Sequence, residues 1–201
     1  MPPLSLTVPF VLASGSPRRR ELLGKLGFEF DVIPSDADET WPEATPPGPA
    51  AAQIAMRKAE AVARDHPGAL VLGADTVVVL GGEVLGKPAD AAEARATLAR
   101  LAGRSHTVYT GLALIHGDTR AMAHEATEVT FGALTADEIA AYVATGSPMD
   151  KAGAYGIQDD LGALFVSGVS GDYFNVVGLP LHRLYRTLRS DFGAIVRWAG
   201  T

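Results

Sequence analysis

The stretch Ser14-Gly15-Ser16-Pro17-Arg18-Arg19 places a turn of small residues between an apolar run and a predicted helix. Pro17 suits the first helical position, with Ser16 as the N-cap before it. Backbone N–H groups at such a turn attract anions, and the guanidinium groups of Arg18 and Arg19 match phosphate oxygens. An ordinary helix cap with two solvated arginines has the same pattern. The turn lacks the Gly-Lys-Ser/Thr ending of a nucleotide P-loop, so that mechanism does not apply.

A single carboxylate, Asp75, interrupts the apolar stretch VLGADTVVVL. A carboxylate among strand-like apolar residues needs a hydrogen bond, an ion pair or a metal ion to offset its desolvation. After the hairpin turn signal Gly81-Gly82 the chain returns through GEVLGKP, which is expected to bring the ammonium of Lys87 back beside Asp75. The pair suggests a phosphate site with a general base. The alternative is a structural Asp that binds backbone amides at a strand end.

The third candidate is the Gly-rich stretch DKAGAYGIQ, in which small residues separate Lys151, Tyr155 and Gln158. Small residues let a ligand approach the backbone, and a Gln amide both donates and accepts, which suits the edge of a nucleobase. A surface loop with scattered polar side chains fits the same pattern. The histidines show no metal-ligand spacing such as HExxH, and His106 is interpreted as a structural residue.

The composition of the 201 residues excludes several classes of function. The absence of cysteine removes thiol nucleophiles, thiolate zinc sites and disulfides. A net charge of −6 argues against a nucleic-acid partner, because duplex binding needs a broad basic face. Apolar runs are far shorter than the ~20 residues of a membrane span, and no basic segment precedes the first one, so we expect a cytoplasmic protein with no membrane partner. The basic residues are mostly Arg, so positions that are Lys suggest a need for a compact charge: Lys25, Lys58, Lys87 and Lys151.

The elements that must position these residues alternate between strands and helices. The polar, proline-rich segment 34–49 carries Glu39 and is long for a connector, which is typical of a functional or mobile loop. Helices and strands with interposed hairpins predict an α/β protein with a mixed sheet. At this length and with 47% hydrophobic residues, we expect a single domain, 1–201, or two closely joined lobes. Strands are predicted at 8–13, 28–33, 70–80, 83–85, 105–115, 121–131 and 164–169, and helices at 17–26, 49–65, 90–101, 135–146 and from 181. Thr135 is the predicted N-cap of the helix 135–146.

Six stretches, collinear and correctly spaced, resemble the Maf family of nucleoside triphosphate pyrophosphatases over nearly the whole chain. They are LASGSPRRRELL, GADTVVVLGGEVLGKP, LAGRSHTVYTGLAL, TEVTF, DKAGAYGIQ and GDYFNVVGLPL. The resemblance implies an elongated, Maf/ITPase-like α/β domain, in which helices flank a mixed twisted sheet and a central cleft lies between two lobes. It also implies hydrolysis of a nucleoside triphosphate to monophosphate and pyrophosphate with a divalent cation, Mg²⁺ or Mn²⁺.

The resemblance implies roles for individual residues as well. Asp75 resembles the family's proton acceptor and Glu39 its acidic companion, and both resemble the carboxylates that bind the metal. The AYGIQ form resembles the branch that acts on dTTP and UTP rather than the branch that prefers methylated guanosine triphosphates. Asp159 stands where the family usually has Gly. By the same resemblance, the catalytic set is Asp75, Glu39, Lys58 and Lys87, and the substrate-binding set is Ser14, Arg18, Arg19, Thr76, Lys151 and Gln158.

A function of another class stays open, because the family was first described as an inhibitor of septum formation. The protein would then bind a nucleotide, or a division protein, as a regulator without turnover. Two carboxylates beside a basic set favour the enzyme, because such carboxylates repel phosphate unless a metal bridges them. Canonical and modified pyrimidine nucleotides, methylated purine nucleotides, a monomer and a homodimer are all compatible with the sequence.

Overall fold

The computed structural model describes residues 4–159 and 161–198. Within them, short 3-10 turns occupy Ser147–Asp150, Ala152–Ala154 and Gly193–Ile195. The strands are β1 (Leu4–Leu6), β2 (Phe10–Leu12), β3 (Asp31–Val32), β4 (Leu70–Leu80), β5 (Glu83–Leu85), β6 (Ser105–His116), β7 (Thr119–Phe131), β8 (Val166–Ser170) and β9 (Val196–Trp198). The helices are α1 (Pro17–Lys25), α2 (Pro47–Ala63), α3 (Ala91–Leu101), α4 (Ala136–Ala144), α5 (Gly162–Phe165), α6 (Tyr173–Val177) and α7 (Leu181–Asp191).

The main sheet has the strand order β3-β2-β4-β6-β7-β8, with β5 paired to β4. β2 lies parallel to β3 and to β4, while β4 with β5 and β7 with β8 are antiparallel. β1 and β9 form a separate antiparallel pair. The predicted α/β class with a mixed sheet and accompanying helices is therefore confirmed.

The described residues group into two compact units. Unit 1 comprises residues 4–75, 110–125 and 178–198, and unit 2 comprises residues 76–109 and 126–177 apart from residue 160. The long strands β4, β6 and β7 contribute residues to both units. The assignment of 1–201 to one elongated domain with a central cleft stays a prediction.

In unit 1 the alanine-rich face of α2 lies directly against the sheet. A Cβ on Gly73 of β4 would lie 2.1 Å from the carbonyl oxygen of Ala55, and one on Gly111 of β6 would lie 2.2 Å from the backbone of Ala51. Such close approach requires glycine on the strands and small side chains on the helix. The contact fixes α2 against β4. The surrounding core consists of Val11, Ala13, Ala55, Ala59, Val62, Ala69, Val71, Ala113 and Ile115.

In unit 2 an aromatic cluster fills the core between β6, β7 and α4. The rings of Phe131 and Tyr155 lie 4.8 Å apart, and those of Tyr142 and Phe165 lie 5.2 Å apart, all edge to face. α4 begins with a reciprocal capping box, in which Thr135 and Glu138 bind each other's backbone N–H. The cap was predicted at Thr135 and is confirmed. Tyr155 leads directly into the segment that carries Gln158.

Several element boundaries differ from the sequence predictions for local reasons. β3 is only Asp31–Val32, and the rings of Phe28 and Phe30 before it pack against Phe10. α2 begins at Pro47 instead of residue 49, which shortens the predicted loop to 34–46. The short elements β1, β9, α5 and α6 were not predicted, because three to five residues carry little periodicity. No helix within the described residues is long and apolar enough to cross a membrane.

Candidate active site

In unit 1 one ammonium group joins the two carboxylates that the sequence singled out. Lys58 Nζ lies 2.7 Å from Asp75 Oδ1 and 3.0 Å from Glu39 Oε1. The side chains of Lys58 and Asp75 are only 11% and 13% exposed, whereas that of Glu39 is 61% exposed. A buried ion pair of this kind offsets the desolvation of both charges. Asp75 and Lys58 therefore form the interior of the site, and Glu39 forms its solvent side.

Local structure explains how the chain brings these groups together. Asp75 lies on β4, which is buried along almost its whole length, so its carboxylate depends on a partner from a neighbouring element. Lys58 supplies it from α2, which the close contact at Gly73 holds against that strand. Sequence reasoning expected the ammonium beside Asp75 to come from Lys87. The structure supplies one from Lys58, and the approach of Lys87 stays a prediction.

Glu39 belongs to a segment without helix or strand, yet hydrogen bonds fix its backbone. Arg57 Nη1 donates to the carbonyl oxygens of Asp38, at 3.0 Å, and Thr40, at 2.8 Å. The Asp38 carboxylate accepts from the hydroxyl and backbone N–H of Thr40, and these hydrogen bonds lower the pKa of Asp38. Arg57 immediately precedes Lys58 on α2. The same helical turn therefore positions the carboxylates of Glu39 and Asp75. The sequence analysis did not predict Arg57 as a functional residue. Its position next to Lys58, together with the acidic residues of segment 34–46, could have indicated it.

The predicted turn at residues 14–19 is built around Arg19, which is buried. Arg19 Nε donates to the carbonyl oxygen of Gly178 at 2.8 Å, and Nη1 donates to Ser14 Oγ at 2.9 Å. The pKa of Arg19 is lowered from its usual value, because burial lowers it more than the nearby carboxylates of Asp75 and Glu39 raise it. The N-cap prediction for Ser16 is correct in position only. Its side chain makes no capping bond, and its backbone N–H donates to Ser14 Oγ at 3.3 Å.

The unit 1 cluster is defined as Ser14, Arg19, Glu39, Lys58 and Asp75. It combines two cations with two carboxylates, which suits an anionic ligand and a proton acceptor in one place. Arg18, also predicted to bind substrate, lies half-buried on α1 beside it.

The donor set of this cluster fits a hard cation. Asp75 and Glu39 both bind the same ammonium, so their oxygens already surround one positive charge. Mg²⁺ typically uses one or two carboxylates and completes its shell with water and substrate phosphates. The described residues contain no group of three or more side chains suited to hold a metal. The two carboxylates therefore fit a cation that arrives with phosphate ligands better than a cage made by protein alone.

The predicted substrate-binding and catalytic residues of unit 2 occupy three different places. Thr76 lies half-buried on β4, and Lys87 is exposed just beyond β5. The predicted hairpin between those strands is confirmed, with Val78 opposite Leu85 and positive φ angles at the Gly81-Gly82 turn. Gln158 is exposed in the segment after Tyr155.

Lys151, the remaining predicted substrate ligand, is engaged within unit 2. Its ammonium donates to the carbonyl oxygen of Ser147 at 2.5 Å, to Asp150 Oδ1 at 2.7 Å, and forms an ion pair with Asp159 Oδ2 at 3.1 Å. Its side chain is 9% exposed. The Lys151 side chain therefore joins neighbouring segments of unit 2, and its contact with substrate stays a prediction.

These features describe an α/β protein with a cluster of cationic and carboxylate side chains at its sheet. The model of the Maf-like protein family matches residues 9–191, and the chain belongs to that family. The dTTP/UTP pyrophosphatase of Salinibacter ruber is 53% identical over 197 residues, which are 97% of each chain. That of Symbiobacterium thermophilum is 56% identical over 91% of this chain and 93% of the relative, and that of Moorella thermoacetica is 57% identical over 85% and 89%. The resemblance drawn from the six sequence stretches is thus confirmed.

Among solved structures, the Ham1 protein of Staphylococcus aureus aligns at a TM-score of 0.46 and 15% identity. The alignment covers 61% of this chain and 71% of that chain. A likeness of this size carries no argument about the site.

Proposed function

We propose that this protein hydrolyses nucleoside triphosphates, dTTP and UTP among them, to the monophosphate and pyrophosphate. The observation that carries the proposal is the buried Asp75–Lys58 pair with Glu39 on its solvent side. A site that only bound phosphate would gain nothing from two carboxylates beside its cations. The common name of the relatives, dTTP/UTP pyrophosphatase, supports the same reaction and the same nucleotides.

Asp75 is the proton acceptor in this proposal. The oxygen of a water molecule attacks the α-phosphorus while one of its protons passes to Asp75. The bond between the α-phosphorus and the oxygen that bridges to the β-phosphorus breaks, and its electron pair leaves with pyrophosphate. Lys58 binds Asp75 Oδ1, so we assign the proton to Oδ2. The ammonium of Lys58 holds the carboxylate in one orientation throughout, which general base catalysis requires.

Cations of the unit 1 cluster stabilise the charge that develops on the phosphates. The bonds from Arg19 to Ser14 and Gly178 fix the guanidinium before substrate arrives, so little reorganisation is needed during the reaction. The N-terminus of α1 adds backbone N–H groups beside Ser14. We assign Lys87 to the same task, and Arg18, Thr76 and Gln158 to recognition of the base.

Asp75 and Glu39 are also the groups we assign to a divalent cation, Mg²⁺ or Mn²⁺. When bound, the cation supplies neutralisation of phosphate charge. Chelation with EDTA should therefore abolish turnover, and excess Mg²⁺ or Mn²⁺ should restore it. The measurement is pyrophosphate release before and after chelation. Undiminished release in EDTA contradicts the metal assignment and leaves the reaction to the protein's own cations.

The reaction itself is tested with a panel of nucleoside triphosphates. The purified protein is incubated with dTTP, UTP, CTP and methylated GTP in Mg²⁺ or Mn²⁺, and the products are separated by ion exchange. We expect dTMP and pyrophosphate from dTTP. Diphosphate and orthophosphate as main products would contradict the proposed bond cleavage, and preference for methylated GTP would contradict the proposed nucleotides. Tight nucleotide binding without any product would favour a regulator.

A further inference from the structure

The loop 155–159, which carries Gln158, is anchored by a single carboxylate. Asp159 Oδ2 accepts hydrogen bonds from Ser147 Oγ at 2.6 Å and from the Tyr142 hydroxyl at 3.2 Å. It also lies 3.1 Å from the Lys151 ammonium. Tyr142 lies on α4, Ser147 begins the 3-10 turn that follows it, and Lys151 comes directly after that turn. Asp159 thereby ties the end of the loop to α4 and to the segment that follows it.

The start of the loop is tied to the same group. The backbone N–H of Gly156 donates to the Tyr142 hydroxyl oxygen at 3.1 Å, and that hydroxyl in turn donates to Asp159. Burial raises the pKa of Tyr142 to about 12, so the phenol keeps the proton it donates. A Cβ on Gly156 would lie 2.5 Å from Asp159 Oδ2, so the carboxylate occupies the space that any side chain at 156 would need.

Gln158 lies between these two fixed points. Its side chain is exposed and makes no hydrogen bond to the described residues. The backbone on either side is closed into a turn, because the N–H of Asp159 donates to the carbonyl oxygen of Gly156 at 3.1 Å. The contacts of Asp159 and Gly156 consequently fix the backbone position from which the Gln158 side chain extends.

We propose that Asp159 is a positioning residue for nucleobase discrimination, which rests on the proposed function and on the assignment of Gln158 to the base. The Gln158 amide can accept from N3–H and donate to O4 of uracil or thymine. Cytosine presents the opposite pattern at those two positions. A fixed backbone at residue 158 limits how the amide can approach the edge of a base, whereas a loosened loop lets the amide adapt to either base. Displacement of about 1 Å is enough to cost a recognition or catalytic site up to about a hundredfold.

The test is the ratio of kcat/KM for dTTP over CTP in Asp159→Ala and Asp159→Asn. We expect Asp159→Ala to lower the ratio about tenfold, through a higher KM for dTTP with kcat changed less than about threefold. Asn keeps an acceptor for Ser147 and Tyr142 but loses the charge beside Lys151, so its ratio should fall between those of Ala and wild type. It also provides a folded variant if Ala does not fold.

Asp90→Ala is the matched control for lost stability. Asp90 Oδ1 caps α3 of the same unit by accepting from the N–H groups of Ala92 and Glu93, and it makes no hydrogen bond to loop 155–159 within the described chain. We expect Asp90→Ala to lower Tm and leave the dTTP over CTP ratio unchanged. A ratio in both Asp159 variants equal to that of Asp90→Ala would overturn the positioning role, whatever their Tm.

Binding without turnover separates this inference from the proposed function. Calorimetry in EDTA compares the affinities of dTMP and dCMP for wild type and Asp159→Ala. The positioning role is supported if wild type prefers dTMP and Asp159→Ala has lost that preference. This holds even if the protein never releases pyrophosphate, because the lack of pyrophosphate contradicts only the proposed reaction. Equal preference in both proteins, or none in the wild type, overturns the positioning role while leaving pyrophosphate release intact.

Discussion

Each unit contains a nearly buried Lys–Asp pair, and the two pairs are held in different ways. In unit 1 the Lys58–Asp75 pair joins the middle of a helix to the middle of a strand, at 2.7 Å. In unit 2 the Lys151–Asp159 pair joins two irregular segments, at 3.1 Å. Lys58 shares its ammonium between two carboxylates, whereas Asp159 gathers hydroxyl and ammonium donors around one carboxylate.

The difference indicates which properties of the site are rigid and which can be adjusted. Moving Lys58 relative to Asp75 requires displacing α2 from the sheet, against contacts at Gly73 and Gly111 that leave no space. The end of loop 155–159 is held by one carboxylate, that of Asp159, so we expect a single substitution there to loosen it. We infer that proton transfer is built into the core of unit 1, while base preference resides in a loop that can change without disturbing that core.

The contrast between a rigid unit 1 and an adjustable loop 155–159 is meaningful only if Asp75 takes part in the reaction. Asp75→Asn keeps the shape but removes the proton acceptor, so we expect kcat to fall about a hundredfold or more. The fold should persist, because the carboxamide oxygen can still accept from Lys58. The measurements are pyrophosphate release under saturating dTTP and Tm. A variant with wild-type Tm and near wild-type kcat would move the base elsewhere, with Glu39 the first candidate.

Lys58→Arg tests whether the rigid site depends on a compact cation. The Lys58 ammonium is nearly buried between Asp75 and Glu39, at 2.7 and 3.0 Å, and a planar guanidinium with five donors cannot occupy that position without moving them. We expect kcat to fall about tenfold with the dTTP over CTP ratio preserved. The control is Lys25→Arg, since Lys25 lies exposed on α1 in a surface pair with Glu21. A fully active Lys58→Arg would show that positive charge alone suffices.

Gln158→Ala probes the adjustable region directly. Wild type should prefer dTTP and UTP over CTP by at least about tenfold in kcat/KM, because a mismatched base leaves polar groups unpaired. Gln158→Ala should lower the ratio of kcat/KM for dTTP over CTP by a larger factor than it lowers kcat/KM for CTP itself. Steady-state kinetics on the three substrates measures both effects. An unchanged order and ratio would remove Gln158 from the specificity role and leave Arg18 and Thr76 as the positions to test.

The sequence predicted most strands and helices of both units because strong local signals mark them. The apolar run of β4, the Gly81-Gly82 turn and the Thr135 cap are all local and all confirmed. The ion-pair partner of Asp75 could not be predicted from local sequence, because Lys58 lies 17 residues away on another element. The predicted hairpin favoured Lys87 as the partner instead. Only the packing of α2 on Gly73 decides that partner. Asp159 was noticed as a departure from the family pattern, but its contacts depend on three-dimensional proximity.

The remaining expected effect concerns the acid stability of unit 2, not turnover. His106 is 2% exposed, its Nε2 lies 2.8 Å from the Tyr155 hydroxyl, and its Nδ1 has no hydrogen-bond partner in the described part of the chain. Burial lowers the pKa of His106 from 6.5 to about 4. The unfolded chain therefore binds a proton between pH 6.5 and 4 that the native state excludes. The free energy of unfolding should fall through this window, by at most about 3 kcal/mol.

His106→Gln should remove that dependence on pH. Glutamine does not titrate, and its amide can still donate to the Tyr155 hydroxyl, so the variant is expected to unfold in urea with a flatter pH profile between 7 and 4 than wild type. His182→Gln is the control, because His182 is exposed on α7 and its substitution should leave the profile unchanged. Parallel profiles for His106→Gln and wild type would mean that other groups carry the acid dependence. Tyr155 is the first residue of loop 155–159, and it is held by His106. If His106→Gln flattens the pH profile, protonation of one histidine weakens the hold on this loop. The loop of unit 2 would then be sensitive to acid, in contrast to the rigid Lys58–Asp75 pair of unit 1.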